Sequence, residues 1–178
     1  MTTVATASKV LTHLGYAMRK DVLKIPELQD IRKCLTVAPK AAGKFAKGEP
    51  FQIYVEIGTR IYMPRMWALE KFGAAEHDIL VDGEPLRDGL AFVGKPYDYQ
   101  VEIVNTFLDA GANGLICVPC GRGKTFMAIC AAARIGRRFM IVVDKEFLLQ
   151  QWSGELTALM PGIRIGIIQA GAKQIGPE

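Results

Sequence analysis

One glycine-rich segment carries the residue types that chemistry on a phosphate group would need. Residues 118–125 read VPCGRGKT, after an apolar run at 114–118 and before an alanine-rich run at 126–134. Glycines let the loop turn tightly, so its N–H groups and the positive end of the following helix can surround an anion. Lys124 can reach the β- and γ-phosphates of a nucleotide, and the Thr125 hydroxyl can ligate Mg²⁺. We therefore predict a phosphate-binding loop, with valine in place of the first glycine of the general motif; a chance Gly-Lys-Thr sequence is the alternative.

The elements that must position this loop follow one another in a regular order after Pro96. The hydrophobic spacing predicts helices at 99–110, 124–134 and 145–160. It predicts short apolar strands at 114–118, 139–143 and 163–168. Such alternation is typical of right-handed βαβ units, in which helices cover both faces of a parallel sheet. The loop would then lie at the carboxyl end of the first of these strands.

The preceding part of the chain has a different pattern and is predicted to be a small α+β domain. Pro26 suits the first position of a helix with one apolar face, which Pro39 would end. Residues 51–57 alternate between apolar and polar, and 60–63 can pair with them as a hairpin. A short helix within 64–73 would begin at a proline and be capped by a glycine.

Two stretches of this first part are less regular. Residues 11–24 mix apolar and basic side chains without clear periodicity. Residues 77–94 are rich in Gly, Asp and Pro, which is typical of a connection between domains. We place the boundary near Gly94, which gives an α+β accessory domain at 1–94 and an incomplete α/β domain at 95–178.

The composition indicates a folded protein with an uneven charge. Half of the 178 residues are hydrophobic and 22% are charged, so the chain can build a core. Of the net charge of +4, residues 1–48 carry nine basic against three acidic side chains, an excess of +6. A basic front end permits contact with a polyanion, although such an excess is more often just a solvated surface.

The cysteines and the absence of a targeting sequence favour a reducing, intracellular location. The four cysteines show no disulfide pattern, and no signal peptide or apolar run of transmembrane length is present. Cys117 and Cys120 have the spacing of a redox or zinc pair. No second ligand pair exists, and His13 and His77 stand alone, so a metal site of this kind is not expected.

Segments on either side of the loop carry a family resemblance. Upstream, residues 96–100 read PYDYQ; downstream, 142–152 read VVDKEFLLQQW. Together with the loop, these segments resemble the adenine-reading segment, motif I and motif Ia of superfamily 2 helicases, and the loop is similar to the xeroderma pigmentosum group B type. The front half, for example LTHLGY at 11–16 and FQIYVE at 51–56, resembles the amino-terminal extension of poxvirus-type helicases of nucleocytoplasmic large DNA viruses.

The resemblance implies a fold, ligands and partners. It implies that 95–178 form the first half of a P-loop RecA-like domain, that ATP and Mg²⁺ are the cofactors, and that Lys124 and Thr125 serve catalysis, with Thr125 on the metal. The implied nucleotide-binding residues are Tyr97, Gln100, Pro119, Cys120, Gly121, Arg122, Gly123, Lys124 and Thr125. The implied nucleic-acid contacts are Lys145, Gln151 and Arg164. The implied partner is nucleic acid, more DNA than RNA, within transcription or replication machinery, and no membrane contact is implied. If the protein is viral, it would be found in the cytoplasm or the virion.

Each of these implied roles has a plainer alternative. Gln100 could hydrogen-bond the adenine edge with Tyr97 or Tyr99 packed on the base, or it could cap a helix beside a core tyrosine. Lys145 and the other two nucleic-acid candidates could be solvated surface residues. Trp67 and Trp152 are expected in the core.

One helicase feature is absent from the sequence. ATP hydrolysis in helicases needs an acidic Asp-Glu motif and an Arg finger from a second RecA-like domain, and this chain has no Asp-Glu dipeptide. We therefore expect the amino-terminal piece of a helicase, inactive in hydrolysis by itself. A non-catalytic nucleotide or nucleic-acid binding module is the main alternative. A small P-loop kinase is disfavoured, because no Arg-rich lid follows.

Overall fold

The structure, a computed structural model, describes residues 4–38 and 49–169, and the backbone alone at 172–174. The chain divides into two compact units, Met1–Val81 and Asp82–Glu178. This division lies before the boundary expected near Gly94, because Leu86, Leu90 and Phe92 pack in a core of the second unit.

The first unit contains seven described strands. They are β1 Lys9–Thr12, β2 Gly15–Arg19, β3 Thr36–Val37, β4 Phe51–Gln52, β5 Val55–Ile57, β6 Arg60–Met63 and β7 His77–Asp78. Five of them form one sheet in the order β5-β6-β2-β1-β7, antiparallel except for the parallel β1–β7 pair. The other two, β3 and β4, pair with each other. The predicted hairpin is confirmed as β5–β6, but the predicted strand at 51–57 is divided between two sheets.

The sequence pattern failed at the hairpin of β1 and β2, which lies in the stretch without periodicity. Three consecutive residues of β2, Tyr16, Ala17 and Met18, are buried. Tyr16 and Met18 belong to the main core, whereas Ala17 packs with Ala7 and Val10 on the other face of the sheet. A strand buried on both faces has no apolar–polar alternation, so its period cannot be seen in the sequence.

Two helices cover the main core of the first unit. They are α1, Ile25–Cys34, and α2, Arg65–Phe72, and both confirm predicted helices. Gly73 ends α2 with a φ of 75°, as expected of a glycine cap. The core joins the two helices to the sheet through Tyr16, Met18, Ile31, Leu35, Ile61, Met63 and Ala68.

Ion pairs of Glu56 with Arg32 and Lys20 connect α1 to the edge strand β5 of this sheet. The Glu56 carboxylate of β5 accepts hydrogen bonds from Arg32 Nε at 2.7 Å and from Lys20 Nζ at 3.1 Å. The Glu56 side chain is only 23% exposed. The bond from Arg32 lowers the pKa of Glu56, because it stabilises the ionised carboxylate.

The second unit contains the three predicted helices. They are α3 Asp98–Asp109, α4 Lys124–Ile135 and α5 Glu146–Leu159. One core cluster lies between α3 and α4 around Val104 and Met127, and another lies between α4 and α5 around Ile129 and Leu156. Val101 of α3 is 38% exposed. Trp152 packs in the second cluster, as expected.

The strands predicted between these helices are extended segments without strand pairing over most of their length. Of these predicted strands, the described residues show strand pairing only at β8, Ile167–Gln169, which pairs antiparallel with β9, Ala172–Gln174. Ile116 and Ile141 pack against the helices, but the neighbouring Leu115 and Met140 are 91% and 79% exposed. The α/β class is confirmed. The expected parallel ladder is not formed there, because helices cover one side of these segments only and a parallel sheet requires cover on both.

Two aromatic rings connect the segment before α3, which contains Phe92, with the first turn of α4, which contains Phe126. The rings of Phe92 and Phe126 meet edge to face, with centroids 5.2 Å apart. Gly94 lies against both rings: a Cβ there would be 2.5 Å from Phe92 and 2.6 Å from Phe126. The first turn of α4 is thereby tied to the segment before α3. Among the described residues, no helix has the length and apolarity needed to cross a membrane.

Candidate functional site

The glycine-rich loop has the backbone shape that an anion-binding turn needs. Gly121 and Gly123 have φ values of 78° and 76°, in the left-handed region that L side chains rarely adopt. Gly123 is also the N-cap of α4, and its carbonyl accepts the Met127 N–H at 2.9 Å. The loop therefore ends at a helix N-terminus whose first N–H groups have no partner within the helix. Such an end favours negative charge.

Lys124, the first residue of α4, extends back over the loop. Its Nζ donates to the carbonyls of Val118 and Pro119, each at 3.1 Å. The side chain remains exposed, so its ammonium group can exchange these carbonyls for phosphate oxygens. Thr125 follows on the same turn and is half-buried. Its hydroxyl is a hard oxygen ligand of the kind that Mg²⁺ accepts.

The N-terminus of α3 contacts the loop from the other side. The Gln100 Oε1 accepts the Tyr97 N–H at 3.0 Å, which is the capping arrangement that the sequence left as an alternative. Gln100 Nε2 donates to the Arg122 carbonyl at 3.2 Å. The Tyr99 hydroxyl donates to the same carbonyl at 3.3 Å. These contacts between Gln100, Tyr99 and Arg122 join two predicted site segments that are 22 residues apart in sequence, and no sequence pattern indicated them.

Two tyrosines, one exposed and one half-buried, lie beside the loop. Tyr97 and Tyr99 are stacked, with ring centroids 5.9 Å apart and planes inclined by 12°. Tyr97 is 70% exposed, so it is not a core residue. The Arg122 guanidinium carbon lies 5.7 Å from the Tyr99 ring centroid, within the range of a cation–π contact. A flat base could stack on the open face of this pair.

The remaining loop residues and the cysteines show no metal site. Pro119 and Cys120 are exposed, as is Cys117. Cys130 is buried on α4, and burial raises the pKa of its thiol. Among the described residues, no group of three or more His, Cys, Asp or Glu side chains could hold a metal ion. A Mg²⁺ ion would therefore depend on Thr125 and the oxygens of its nucleotide.

The three candidate nucleic-acid contacts lie on the surface of the second unit. Lys145 precedes α5 and lies 3.9 Å from the carboxylate of Asp144. Gln151 is exposed on α5, and Arg164 is exposed in an extended segment. Their nucleic-acid role remains a prediction.

A cavity in the second unit lies away from the loop. Its volume is about 470 Å³, and it lies between the extended segments 139–143 and 163–168 beside α5. Apolar side chains such as Ile141, Trp152 and Ile165 line it. The cavity lies between two segments that are not paired with each other, and none of the loop residues line it.

Comparisons with known proteins give this geometry a family context. Residues 94–175 match the family described as type III restriction enzyme, res subunit. A relative from Acanthamoeba polyphaga mimivirus, provisionally named an ATP-dependent RNA helicase, is 30% identical over 167 residues, which are 89% of this chain and 32% of the relative. The DNA 3'-5' helicase XPB of Mycobacterium tuberculosis is 34% identical over 82 residues, 45% of this chain and 15% of that protein. A second XPB helicase, from Kineococcus radiotolerans, is 34% identical over 117 residues, 61% of this chain and 20% of that protein. No solved structure matches.

The family that matches residues 94–175 describes a RecA-like helicase domain, and the proteins to which the chain is similar are helicases of the XPB type and a helicase of mimivirus. The resemblance read from the sequence is thus confirmed. The chain spans about a third of the length of the mimivirus relative and less of the XPB proteins.

Proposed function

We propose that the second unit binds Mg-ATP through residues 121–125 and is the nucleotide-binding part of an ATP-dependent DNA helicase or translocase. The observation that carries the proposal is the loop itself. Two left-handed glycines flank Arg122 directly before the N-terminus of α4, and the exposed Lys124 ammonium lies over the loop. A triphosphate supplies the negative charge and oxygen acceptors that this arrangement favours. The helicase relatives support ATP as the nucleotide.

Mg²⁺ and ATP would be held by residues of this chain in different ways. Lys124 would bind phosphate oxygens, and Thr125 would ligate the metal. The bound metal would neutralise charge on the phosphates. The exposed ring of Tyr97, which is stacked on the half-buried Tyr99, would contact the base.

Nucleotide binding can be tested with a fluorescent ATP analogue and Mg²⁺. Replacement Lys124→Ala removes a charged donor, so we expect the affinity to fall about tenfold or more. Lys33→Ala, an exposed lysine of the first unit, is the matched control and should bind like the wild type. Equal affinities for wild type and Lys124→Ala would show that the loop is not the site.

A second candidate function is a binding module that does not hydrolyse ATP. It is favoured by one observation, the lack of any Asp-Glu dipeptide in this sequence. Without acidic residues to orient the attacking water and metal, transition-state charge would have little support. We expect phosphate release by this chain to match that of Lys124→Ala, with or without DNA. Release well above that background would favour the enzyme.

Nucleic acid, with DNA favoured over RNA, is the proposed partner through Lys145, Gln151, Arg164 and the basic residues 1–48. Several of those basic side chains have internal partners: Arg19 pairs with Asp21, and Arg32 with Glu56. Binding should therefore be weak, independent of sequence and steeply lost with salt. Fluorescence anisotropy with several oligonucleotides at two salt concentrations measures this; tight, sequence-selective binding would contradict it. Transcription or replication machinery, inside a cell or a virion, is the proposed setting.

A further inference from the structure

Two arginines lie side by side on one face of the sheet in the first unit. Arg19 of β2 and Arg60 of β6 are directly opposite each other in the antiparallel register. The same face carries Ala17 and Tyr62, each two residues away on its strand, and both pack with Ala7. Like charges directly opposite each other destabilise a strand pair unless other groups compensate them. The groups that compensate the two arginines therefore show what the pair can bind.

The two arginines are compensated in different ways. Arg19 forms an ion pair with the Asp21 carboxylate, in which its Nε donates to Oδ1 at 3.0 Å. Among the described residues, Arg60 forms no ion pair. Its Nη2 donates to three carbonyls, at 3.2, 3.2 and 2.7 Å, which belong to Val4, Ala5 and Ala7. Carbonyl dipoles stabilise a guanidinium but do not neutralise it, so the positive charge of Arg60 is retained.

The carbonyls belong to residues 4–7, which we call the strap. The strap lies over both arginines, because Arg19 Nη1 also donates to the Thr6 carbonyl at 3.0 Å. Ala7 is fully buried, whereas the three residues before it are exposed. These three residues therefore gain little from apolar burial, and their carbonyls attach them to the sheet through the two arginines.

The strap does not satisfy the guanidinium of Arg60. Three carbonyls crowd on Nη2, which has only two hydrogens, whereas Nη1 is buried and has no hydrogen-bond acceptor among the described residues. A buried donor without an acceptor is costly, above all on a charged group. A phosphate fits this fork better, because two of its oxygens can accept from Nη1 and Nη2 together and its charge neutralises the arginine.

We propose that Arg60, with Arg19 beside it, forms a binding site for the phosphodiester backbone of nucleic acid, and that the strap occupies this site until a phosphate displaces it. A hydrogen bond between two charged groups is stronger than one from a charged group to a neutral carbonyl, so a phosphate can compete with the strap. The inference rests on the proposed nucleic-acid partner and adds to it Arg60, which lies outside residues 1–48.

The test weakens the strap without changing the charge of the full chain. Ala7→Leu places a larger side chain at a fully buried position and should lift the strap from the sheet. Fluorescence anisotropy with a short single-stranded oligonucleotide compares this variant with the wild type. We expect its affinity to be about fivefold higher at a fixed salt concentration. The slope of log affinity against log salt concentration should steepen by about 0.7, because one more phosphate is contacted.

Arg60→Lys separates a binding role from a structural one, because it keeps the charge but removes the fork. With the strap in place, it should change the affinity by less than about twofold. In the Ala7→Leu background, it should remove most of the gain. Lys33→Ala, at an exposed lysine of α1, is the matched control and should have the same small effect in both backgrounds. An arginine that only held the strap would show no such coupling in binding.

A second strap variant serves if Ala7→Leu does not fold. Replacement of residues 4–6 by glycine keeps Ala7 and the charge, but raises the conformational entropy lost when the strap is ordered. We expect a gain in affinity of about threefold, which Arg60→Lys should again remove.

The outcomes are distinct. Unchanged affinity in both strap variants, with weak binding by the wild type, would overturn this inference alone, as would a gain that survives Arg60→Lys. A gain for a phosphoserine peptide of matched charge, without one for the oligonucleotide, would overturn it because the ligand would then be a phosphorylated protein. If neither the wild type nor the strap variants bind the oligonucleotide at low salt, the proposed nucleic-acid partner fails and this site fails with it.

Discussion

Both units contain extended chain, but the first unit pairs its strands in a five-stranded sheet, whereas the described part of the second unit has one strand pair, β8–β9. In the first unit, β1 and β2 are joined by a tight turn, as are β5 and β6, so each antiparallel partner is close in sequence. In the second unit, helices separate the extended segments 114–118, 139–143 and 163–168. Parallel pairing across a helix must overcome a larger loop-closure entropy and requires cover on both faces. The difference shows that local hairpins can complete a small sheet, whereas alternating helices and strands require further neighbours.

The first prediction compares apolar residues in the two units. Ile61→Ala, at a fully buried position of β6, should lower the free energy of unfolding of the first unit by about 2 to 5 kcal/mol, because it leaves a cavity. Met140→Ala, at a position that is 79% exposed, should change the second unit by less than about 0.5 kcal/mol. Each unit has one tryptophan, Trp67 or Trp152. Urea unfolding followed by tryptophan fluorescence therefore reports on the first unit in a Trp152→Phe background and on the second unit in a Trp67→Phe background.

Ile57→Ala is the matched control within the same hairpin. Ile57 is 51% exposed, so its loss should cost much less than that of Ile61. A large effect of Met140→Ala would show that the second unit buries a side chain that is exposed in this structure, and the comparison between the units would fail.

The second prediction concerns the backbone itself. Amides of β2 should exchange with deuterium at least about 100-fold more slowly than those at 140–143, since β2 is hydrogen-bonded on both sides and the other segment has no ladder. This ratio corresponds to about 2.7 kcal/mol. Hydrogen exchange resolved by mass spectrometry measures it. Equal protection of the two segments would indicate a paired sheet in the second unit, as the sequence pattern predicted.

The smallest expected effect concerns charged groups. The pKa of Glu56 is lowered by its bond from Arg32, so this carboxylate contributes stability above the unfolded value of about 4.3. The contribution is lost as the pH falls through the lower folded value. Glu56→Gln should therefore destabilise the first unit at pH 7 by about 1 kcal/mol, with the difference from wild type shrinking below about pH 4.

Asp82→Asn is the control in the second unit. Asp82 pairs with Arg137 at 3.1 Å, but its side chain is 86% exposed, so its removal should have little effect at any pH. Thermal melting between pH 3 and 7 compares the two variants. A constant penalty for Glu56→Gln across that range would show that packing, and not charge, is the cause.

Much of the fold was predictable because its signals are local. Pro26 and Pro64 marked the starts of α1 and α2, and the spacing of apolar residues gave all three helices of the second unit. The β1–β2 hairpin was not predictable, since β2 is buried on both faces. The absence of the expected parallel sheet pairing in the second unit was also not predictable. The pattern of apolar residues shows which side chains of an extended segment can pack on a helix, but not whether the opposite face of that segment is covered.

The candidate site was predictable in its residues but not in its contacts. The loop sequence identified Gly121, Gly123 and Lys124 through their types and spacing. It could not show that Gln100 contacts the loop, because that contact depends on how α3 packs against α4. The exposure of Tyr97 is likewise set by tertiary packing.

Gly94, which lies between two aromatic rings, and Gly121 of the loop should differ in the amino acids that can replace them. At Gly121 the requirement is conformational, so Asn or Asp, which tolerate a left-handed backbone, are the replacements with the best prospect of survival in a library. At Gly94 the requirement is space, and a single methyl group would overlap both Phe92 and Phe126. Gly94→Ala should be poorly tolerated by itself, and smaller residues at both Phe92 and Phe126 should be recovered together as suppressors. The same amino acid is therefore constrained by the backbone at one position and by a distant side chain at the other.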